Sequence, residues 1–419
     1  MISRVKGTQD FLDLSLYDAI IERTKKHLEL YAFSPIALPL LEYTNLFERS
    51  LGEHTDVISK EMFLIKGKND EADGLMCLRP EATAPTVRAF VENGIQTTPW
   101  KVFTWGPMFR YERPQKGRFR QFHQINIEVI GSSSSQQDVE CIVMLDRLFH
   151  EQFKLDSYAL LVNYLGCAND RIEHKKKLVA FLQKHFDELC DLCKERMHKN
   201  PLRVFDCKTA TCQKLYEKAP MITDCLCPEC AAQWQQVQQG LELMGVTYSH
   251  KPTLVRGLDY YNKTVFEFVS ANLGAQSAFC GGGRYDQLVS QIGGKQDQPS
   301  IGAAIGIERL MLLLEPIKDM LGLPTPPVLH MIMPMQPEQQ PMALLLADHL
   351  QAAGLCADIC LDESSIKAMM KQANRAKAAY VLIIGSDEQA SHTVMVKNML
   401  TGAQEKIAQV KVVEYLKKP

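Results

Sequence analysis

A dense group of cations lies in the segment FRYERPQKGRFRQFHQ, residues 109–124. Its charged side chains are one acid, Glu112, and five cations: Arg110, Arg113, Lys116, Arg118 and Arg120. Alternation of polar and apolar residues would place Arg110 on the inner face of a strand, where an unpaired guanidinium is costly. A phosphate is a suitable partner, because its oxygens match the guanidinium fork. The alternative is a solvated β-hairpin with its charges facing water.

A second candidate for chemistry is a cluster of cysteines. The chain has 13 cysteines, and several lie close together in a charged, helical stretch: Cys190, Cys193, Cys207, Cys212, Cys227 and Cys230. The two CxxC motifs, Cys190 with Cys193 and Cys227 with Cys230, predict a tetrahedral, structural zinc site. The gap between the motifs is longer than in common zinc ribbons, so buried free thiols remain the alternative.

The elements around the basic segment follow a β-rich pattern. An amphipathic helix is expected over residues 17–30, followed by short strands broken by Gly, Pro and Asp, which is typical of an antiparallel sheet. Residues from about 169 to 247 are charged and helical, which indicates an insertion, and strand-like sequence resumes at residues 264–270. A first domain is thus predicted to span residues 1–323.

A proline-rich stretch, LGLPTPP, marks a domain boundary near residue 323. Beyond it, strands alternate with helices, and residues 324–419 are expected to form a small α/β domain with a largely parallel sheet and right-handed crossovers. Lys plus Arg (47) nearly balances Asp plus Glu (49), so a general attraction to nucleic acid is excluded. The sequence has no secretory signal or membrane span, and a cytoplasmic location is expected.

Seven motifs in order resemble the class II aminoacyl-tRNA synthetases, and most closely the histidyl-tRNA synthetase family. They are KGTQDFL, LPLLE, RPEATA, FRYERPQKGRFRQFHQ, LVRGLDYYNKTVFEF, GGGRYDQL and IGAAIGIERL. RGLDYY together with GGGRYD is specific to the histidine branch, and the class I signatures HIGH and KMSKS are absent. The resemblance implies an α+β fold: an antiparallel-sheet catalytic domain with a helical insertion, and a C-terminal α/β anticodon-binding domain.

Carried over to these motifs, the resemblance gives each cation a role in ATP binding. Arg110 would bind the α-phosphate, Arg118 the outer phosphates and Arg309 the γ-phosphate, with Glu112 in the same ATP-binding segment. Arg256 would bridge the amino-acid carboxylate and the α-phosphate during activation. Fixed cations there would stabilise the charge that builds up in the transition state. The alternative for Arg256 is a sheet-edge arginine paired with Asp259.

The resemblance also implies a histidine site. Glu81, Thr83 and Gln124 would hold the α-ammonium group, while Glu128 and Tyr261 would read the imidazole, which offers a donor and an acceptor nitrogen. The remaining expected contacts are Tyr260, Gly281, Gly283 and Tyr285. The glycine run at residues 281–283 would be a strand floor on which a side chain would collide with the substrates.

The implied activity is that of a homodimeric histidine-tRNA ligase. ATP and L-histidine would give histidyl-adenylate and pyrophosphate, with magnesium on the phosphates, and tRNA(His) would then accept the histidine. The alternative is a non-catalytic, histidine-sensing regulatory paralogue of a biosynthetic enzyme; such relatives usually lack the C-terminal domain and degrade RGLDYY and motif 2. Two departures from the family pattern are Ala82, where Gly is usual, and Asp13, where Pro is common.

Overall fold

The computed structural model describes residues 2–51, 57–66, 74–274, 277–362 and 365–417. The chain divides into two compact units, Met1–Leu323 and Pro324–Pro419. Within the described ranges the strands are β1 (Ser34–Pro35), β2 (Leu41–Tyr43), β3 (Phe63–Ile65), β4 (Met76–Leu78), β5 (Trp100–Phe109), β6 (Gln121–Ile130), β7 (Ala159–Tyr164), β8 (Ser249–His250), β9 (Asn262–Val269), β10 (Ala278–Arg284), β11 (Ser300–Gly306), β12 (Leu329–Pro334), β13 (Cys356–Ile359), β14 (Tyr380–Ile384), β15 (Thr393–Asn398) and β16 (Gln404–Ala408).

The helices of the same ranges are α1 (Ser15–Leu30), α2 (Thr44–Leu51), α3 (Thr83–Glu92), α4 (Ser135–Arg147), α5 (Ala168–Lys184), α6 (Asp191–Lys199), α7 (Ala210–Tyr216), α8 (Pro228–Leu243), α9 (Leu288–Ile292), α10 (Ile307–Leu314), α11 (Gln340–Ala352), α12 (Ile366–Arg375), α13 (Ser386–Ala390) and α14 (Val412–Leu416). A 3₁₀ turn at Pro201–Asp206 joins α6 to the segment before α7. Among these helices, none combines the length and the apolar character that crossing a membrane requires.

The large sheet of the first unit has the strand order β1-β5-β6-β11-β10-β9-β7-β8. The six central strands pair antiparallel, and β1 and β8 add short parallel pairs at the two edges. The antiparallel core expected from the sequence is therefore confirmed. Because β9, β10 and β11 follow the insertion yet lie beside β6 and β7, the sheet closes only after the chain returns from residues 168–247.

Two helices cover one face of this sheet. Apolar residues of α4, such as Ile142 and Leu145, are fully buried in the same core as Val237 and Leu241 of α8. Gly240 allows the two helices to approach closely, since a Cβ there would lie 2.6 Å from a methyl carbon of Val139. The last helix of the predicted insertion thus packs into the core of the catalytic unit. The insertion has a separate, smaller core between residues 178 and 219.

The second unit contains a five-stranded sheet with the order β13-β12-β14-β15-β16. The pairs β12-β13 and β12-β14 are parallel, whereas β14-β15 and β15-β16 are antiparallel. The expectation of a largely parallel sheet is therefore wrong for half of its pairings. The physical reason is the length of the connections. The links at residues 385–392 and 399–403 are too short for a parallel crossover, whereas the long connections that contain α11 and α12 allow the parallel pairs.

Candidate active site

A buried carboxylate, Glu128, lies at the centre of the candidate site. It sits on β6 with 1% of its surface exposed. The Thr83 hydroxyl donates to Oε1 at 2.6 Å, and the Tyr285 hydroxyl donates to Oε2. Burial raises the pKa of Glu128 to about 8, and the two hydroxyl donors only partly offset this effect. The carboxyl group is therefore held in place for a polar ligand in a low-dielectric pocket.

The neighbouring acid, Glu81, precedes the N-terminus of α3. Its two carboxylate oxygens accept backbone N–H bonds from Thr83 at 2.7 Å and Ala84 at 2.9 Å. Burial raises the pKa of Glu81, and those two backbone N–H groups counteract the rise. Ala82, the departure from the family's usual glycine, has a φ of −118°, which suits any residue. The substitution therefore leaves the backbone that positions Glu81 and Thr83 unstrained.

Gln124 lies on β6 four residues before Glu128. Its Oε1 is buried and has no hydrogen-bond partner among the described residues. A buried acceptor without a partner costs free energy, and binding sites are where such groups are tolerated. This geometry suits the expected contact with an ammonium group.

Three tyrosines form the apolar wall beside Glu128. The ring centroids of Tyr260 and Tyr261 are 4.6 Å apart, and those of Tyr260 and Tyr285 are 5.7 Å apart. All three residues are buried, and burial raises each pKa, so the phenols stay protonated. Arg171 of the insertion donates to the backbone oxygen of Tyr261 at 3.2 Å. The structure thus brings Glu128 and Thr83 together with the three tyrosines.

The predicted phosphate-binding arginines lie next to this pocket. Arg110 follows β5, donates to the backbone oxygen of Pro80 at 2.9 Å and lies 5.3 Å over the Phe122 ring. Arg309, at the start of α10, donates to the backbone oxygens of Gly117 at 2.9 Å and Ala278 at 2.6 Å. Arg110 is therefore held by a backbone carbonyl between β4 and α3, and Arg309 by carbonyls of β10 and of the loop between β5 and β6.

The electrostatics of Arg309 show a local excess of positive charge. Its pKa is lowered to about 10, mainly by burial and in addition by the charges of Arg110 and Arg118. Arg118 forms an ion pair with Glu112. The three guanidinium groups of Arg110, Arg118 and Arg309 outnumber this one carboxylate, so the cluster keeps an excess of positive charge. Such an arrangement suits an anionic ligand, because phosphate oxygens would relieve the repulsion among the three guanidinium groups.

Arg256 lies between the tyrosines and the arginine cluster. Its Nη1 donates to Glu267 on β9, and its guanidinium lies 5.5 Å over the Tyr261 ring. Burial acts to lower the pKa of Arg256, but the carboxylate of Glu267 raises it overall. The ion pair is thus with Glu267, while Asp259, considered as its partner from the sequence, accepts a bond from Asn200 at 3.0 Å.

The glycine run on β10 leaves no room for side chains. A Cβ at Gly281 would overlap the Arg256 guanidinium, and one at Gly282 would overlap the backbone oxygen of Gly302. At Gly283 a Cβ would lie 2.6 Å from the backbone oxygen of Thr264. These strands therefore need glycine for their own packing, besides any contact with substrates.

Two residues of the site were not predicted from the sequence. Glu267 is the one acid in the apolar run TVFEFV. An acid within such a strand could have indicated a functional residue. Gly302 on β11 lies against the Glu128 carboxylate, which would overlap a Cβ at that position. Arg284 of GRYD, in contrast, is 1% exposed and pairs with Asp138 at 2.7 Å, so it anchors the strand to α4.

The predicted zinc ligand set is wrong. The structure separates the two CxxC motifs into different clusters: Cys190, Cys193, Cys207 and Cys212 in one, and Cys167, Asp170, Cys227 and Cys230 in the other. The reason is that each motif begins a different helix, α6 and α8, and α8 packs into the catalytic core away from the small core of the insertion.

Comparisons with known proteins agree with this fold. The family model of histidyl-tRNA synthetase matches residues 13–310. The chain belongs to the histidyl-tRNA synthetase family. An anticodon-binding domain model matches residues 330–419, so the second unit carries the C-terminal domain of the class II histidyl-tRNA synthetase fold. The α+β architecture expected from the sequence is confirmed.

Similar proteins match along the whole chain. A "Histidine--tRNA ligase" of Thermosipho melanesiensis is 41% identical and covers 97% of this chain and 96% of its own length. One of Halothermothrix orenii is 42% identical, with 99% and 98% covered. The apo crystal structure of a Staphylococcus aureus histidyl-tRNA synthetase is 33% identical, with all of both chains covered and a TM-score of 0.79. Because these matches include the C-terminal domain, they support the ligase over the regulatory paralogue.

Proposed function

We propose that this chain joins L-histidine to tRNA(His), and that the residues described above carry out the activation step. The observation that carries the proposal is the adjacency of two sites. A buried Glu128, held by Thr83 and Tyr285, lies beside a cluster of arginines with excess positive charge. One site suits a small polar amino acid, and the other suits a polyphosphate.

In the activation step, an oxygen of the histidine carboxylate attacks the α-phosphorus of ATP. The bond from the α-phosphorus to the bridging oxygen breaks, and pyrophosphate leaves. Arg110 and Arg256 would bind the α-phosphate oxygens as their charge increases, while Arg118 and Arg309 would bind the outer phosphates. Because the backbone already holds Arg110 and Arg309, little reorganisation accompanies the reaction. No side-chain nucleophile is needed.

Histidine itself would be recognised by the polar groups around Glu128. The imidazole N–H would donate to Glu128, and Tyr261 would contact the other side of the ring. Glu81, Thr83 and Gln124 would surround the α-ammonium group, where the unpartnered Oε1 of Gln124 supplies an acceptor. A site with such buried polar groups rejects apolar amino acids, because those would leave the groups unpaired.

Magnesium would accompany ATP. The Glu267 carboxylate interacts electrostatically with both Arg256 and Arg309, so it lies near the proposed phosphate site. Proteins usually bind magnesium at such sites through one or two carboxylates together with the phosphates, and Glu267 could supply one of them. When bound, the ion would neutralise charge on the departing pyrophosphate. Glu267 already pairs with Arg256, so its first task is to orient that guanidinium.

The second step would transfer the histidyl group to the terminal ribose 3′-hydroxyl of tRNA, with release of AMP. The C-terminal unit would read the anticodon, as its family match suggests. We also propose a homodimer, supported by apolar side chains that are exposed on the sheet β2-β4-β3 and directly before β4: Leu41, Tyr43, Leu64 and Leu75. A cytoplasmic location fits the free state of all 13 cysteines.

A histidine-dependent ATP–pyrophosphate exchange assay tests the proposed activity. Purified protein should exchange labelled pyrophosphate into ATP only when L-histidine is present, and should charge tRNA(His) in a separate reaction. Exchange that ignores histidine, or that another amino acid supports equally, would contradict the proposal. Histidine binding without any exchange would favour the regulatory paralogue.

A further inference from the structure

Four cysteines of the insertion converge on one point. The sulfur atoms of Cys190, Cys193, Cys207 and Cys212 all lie within 4.8 Å of one another. The Sγ atoms of Cys190 and Cys207 are 3.7 Å apart. A tetrahedron with zinc–sulfur bonds of about 2.3 Å has sulfur–sulfur edges of roughly 3.8 Å, whereas a disulfide requires about 2.05 Å. The spacing therefore suits a shared metal ion and not a pair of disulfides.

The backbone around these sulfurs supports ligation. Cys190 precedes α6 and Cys193 lies in its first turn, so both sulfurs are close to a helix N-terminus. The N–H of Cys190 donates to the sulfur of Cys212, and the N–H of Thr209 donates to the sulfur of Cys207, both at 3.4 Å. Such N–H donors stabilise thiolates, which are the form that binds metal.

The insertion has little else to hold it together. Its core between residues 178 and 219 is small, and three of the four cysteines, Cys193, Cys207 and Cys212, are among its buried members. The elements they join are short: α6, the turn Pro201–Asp206 and α7. Small cores of this kind usually require a metal or disulfides for stability. We propose that Cys190, Cys193, Cys207 and Cys212 bind one structural zinc ion.

This zinc site would also support the active-site loop. Cys207 directly follows the turn Pro201–Asp206, and Asn200, which precedes that turn, donates to Asp259 at 3.0 Å. Asp259 belongs to the RGLDYY motif between Arg256 and Tyr260. The zinc ion would therefore fix the turn that contacts the loop of Arg256, although it would lie outside the catalytic machinery. Its removal is expected to raise the KM for histidine more than it lowers kcat.

The second cluster is a natural comparison within the same chain. It has three cysteines and Asp170, whose two carboxylate oxygens already accept N–H bonds from Cys167 at 3.0 Å and Cys227 at 2.9 Å. Its carboxylate is thus shared with two backbone donors, unlike the four thiolates of the first cluster. Variants in the two clusters therefore separate the proposed site from a general affinity of thiols for zinc.

The experiment measures the zinc content of the full-length protein, purified under reducing conditions with zinc in the medium. Cys207→Ser should contain about one zinc per chain less than wild type, since one tetrahedral ion needs all four ligands. Cys207→His should keep that ion, because imidazole replaces thiolate in many zinc sites. Cys225→Ser, at a cysteine of the insertion outside both clusters, should match wild type, and Cys230→Ser should keep the ion that Cys207→Ser loses.

Equal zinc content in wild type and Cys207→Ser would overturn the proposal, as would wild type without zinc. Should Cys207→Ser fail to fold, cobalt substitution of the Cys230→Ser protein, in which the second cluster is disrupted, decides the question. A tetrahedral four-thiolate site gives intense visible bands and thiolate-to-cobalt charge transfer. A spectrum of octahedral cobalt with oxygen ligands would overturn the assignment. Histidine-dependent exchange of the Cys225→Ser protein shows in parallel that the proposed enzyme activity is intact.

Discussion

Arg256 lies directly on Gly281, so that a methyl group on that glycine would overlap its guanidinium. The same guanidinium is paired with Glu267 and lies over Tyr261. Strand β10 thus acts as a flat support, and Glu267 fixes the orientation from the neighbouring strand. An arginine held on two sides in this way is suited to stabilising charge that appears only in the transition state.

Replacement of Arg256 should therefore affect adenylation far more than histidine binding. Arg256→Ala is expected to lower the rate of histidyl-adenylate formation by about 10²- to 10³-fold. Arg256→Lys should recover only part of this loss, because an ammonium cannot bridge carboxylate and phosphate oxygens as a planar fork does. The measurement is single-turnover adenylate formation beside equilibrium histidine binding.

Arg375→Ala serves as the control for this series, because it removes an exposed arginine of α12 in the other unit. It should form adenylate at the wild-type rate. If Arg256→Ala also does so, Arg256 has no role in the chemistry, and the mechanism given above is wrong. If wild type binds histidine but forms no adenylate, the histidine-sensing alternative replaces the ligase.

Gly302 provides a separate test of the histidine pocket. In Gly302→Ala the added methyl group would overlap the Glu128 carboxylate, so Glu128 must leave its bonds with Thr83 and Tyr285. Histidine affinity should fall by about tenfold, since a buried polar group left without its hydrogen-bond partner costs about 1–3 kcal/mol. ATP binding should change little. Isothermal titration with each ligand measures both effects.

The matched control is Gly306→Ala on the same strand. A Cβ there would lie 3.7 Å from the nearest atom, which is an ordinary contact, and the φ of −80° suits alanine. Histidine affinity should be that of wild type. A similar loss in both variants would mean that neither glycine of β11 tolerates an added methyl group, and that the loss in Gly302→Ala does not report on Glu128.

The fold of the catalytic unit could be predicted from the sequence, because its strands and its first helix have recognisable local residue patterns. The strand patterns around FRYERPQKGRFRQFHQ and TVFEFVS lie in the catalytic sheet, and the helix expected at residues 17–30 is α1. The antiparallel end of the second sheet was missed, because β15 and β16 carry no pattern that separates a hairpin from two strands of a parallel sheet.

The zinc ligand set failed for a different reason. Sequence spacing suggested that the two CxxC motifs share an ion, but long-range packing decides which helix start lies beside which. Asp170 lies beside Cys227 because β7 and α5 pack at the catalytic core, as α8 does. Cys207 lies beside Cys190 because only a short helix and a turn separate them along the chain. Glu267 was missed likewise, since nothing in TVFEFV indicates which cation lies across the sheet.

The raised pKa of Glu128 predicts a pH-dependent stability. Its pKa is about 8 in the folded chain against a usual 4.5. Between these values the unfolded chain loses the proton that the folded chain keeps, so rising pH favours unfolding. The free energy of unfolding of wild type relative to Glu128→Gln should fall by up to about 1.4 kcal/mol per pH unit in this window. Below pH 4.5 and above pH 8 the difference should be constant.

Urea unfolding of both proteins at several pH values from 4 to 9 measures this difference. Glu29→Gln, at an exposed position of α1, is the control and should stay parallel to wild type throughout. A constant difference between wild type and Glu128→Gln over the whole range would show that Glu128 is ionised in the folded chain. Its role would then be that of a permanent carboxylate acceptor.

The C-terminal unit should serve tRNA and not activation. It begins at Pro324 and contains none of the residues placed at the phosphates or at histidine. A chain ending at Leu323 keeps the whole large sheet and both substrate sites, so it should retain most of its histidine-dependent exchange. Aminoacylation of tRNA(His) should collapse, because the anticodon contacts of the matched domain are lost. Comparing exchange and charging rates of the truncated and full-length chains, at the same concentration of active sites, makes the separation quantitative. Equal loss of both activities would instead make the C-terminal unit part of the scaffold that holds the active site or the dimer.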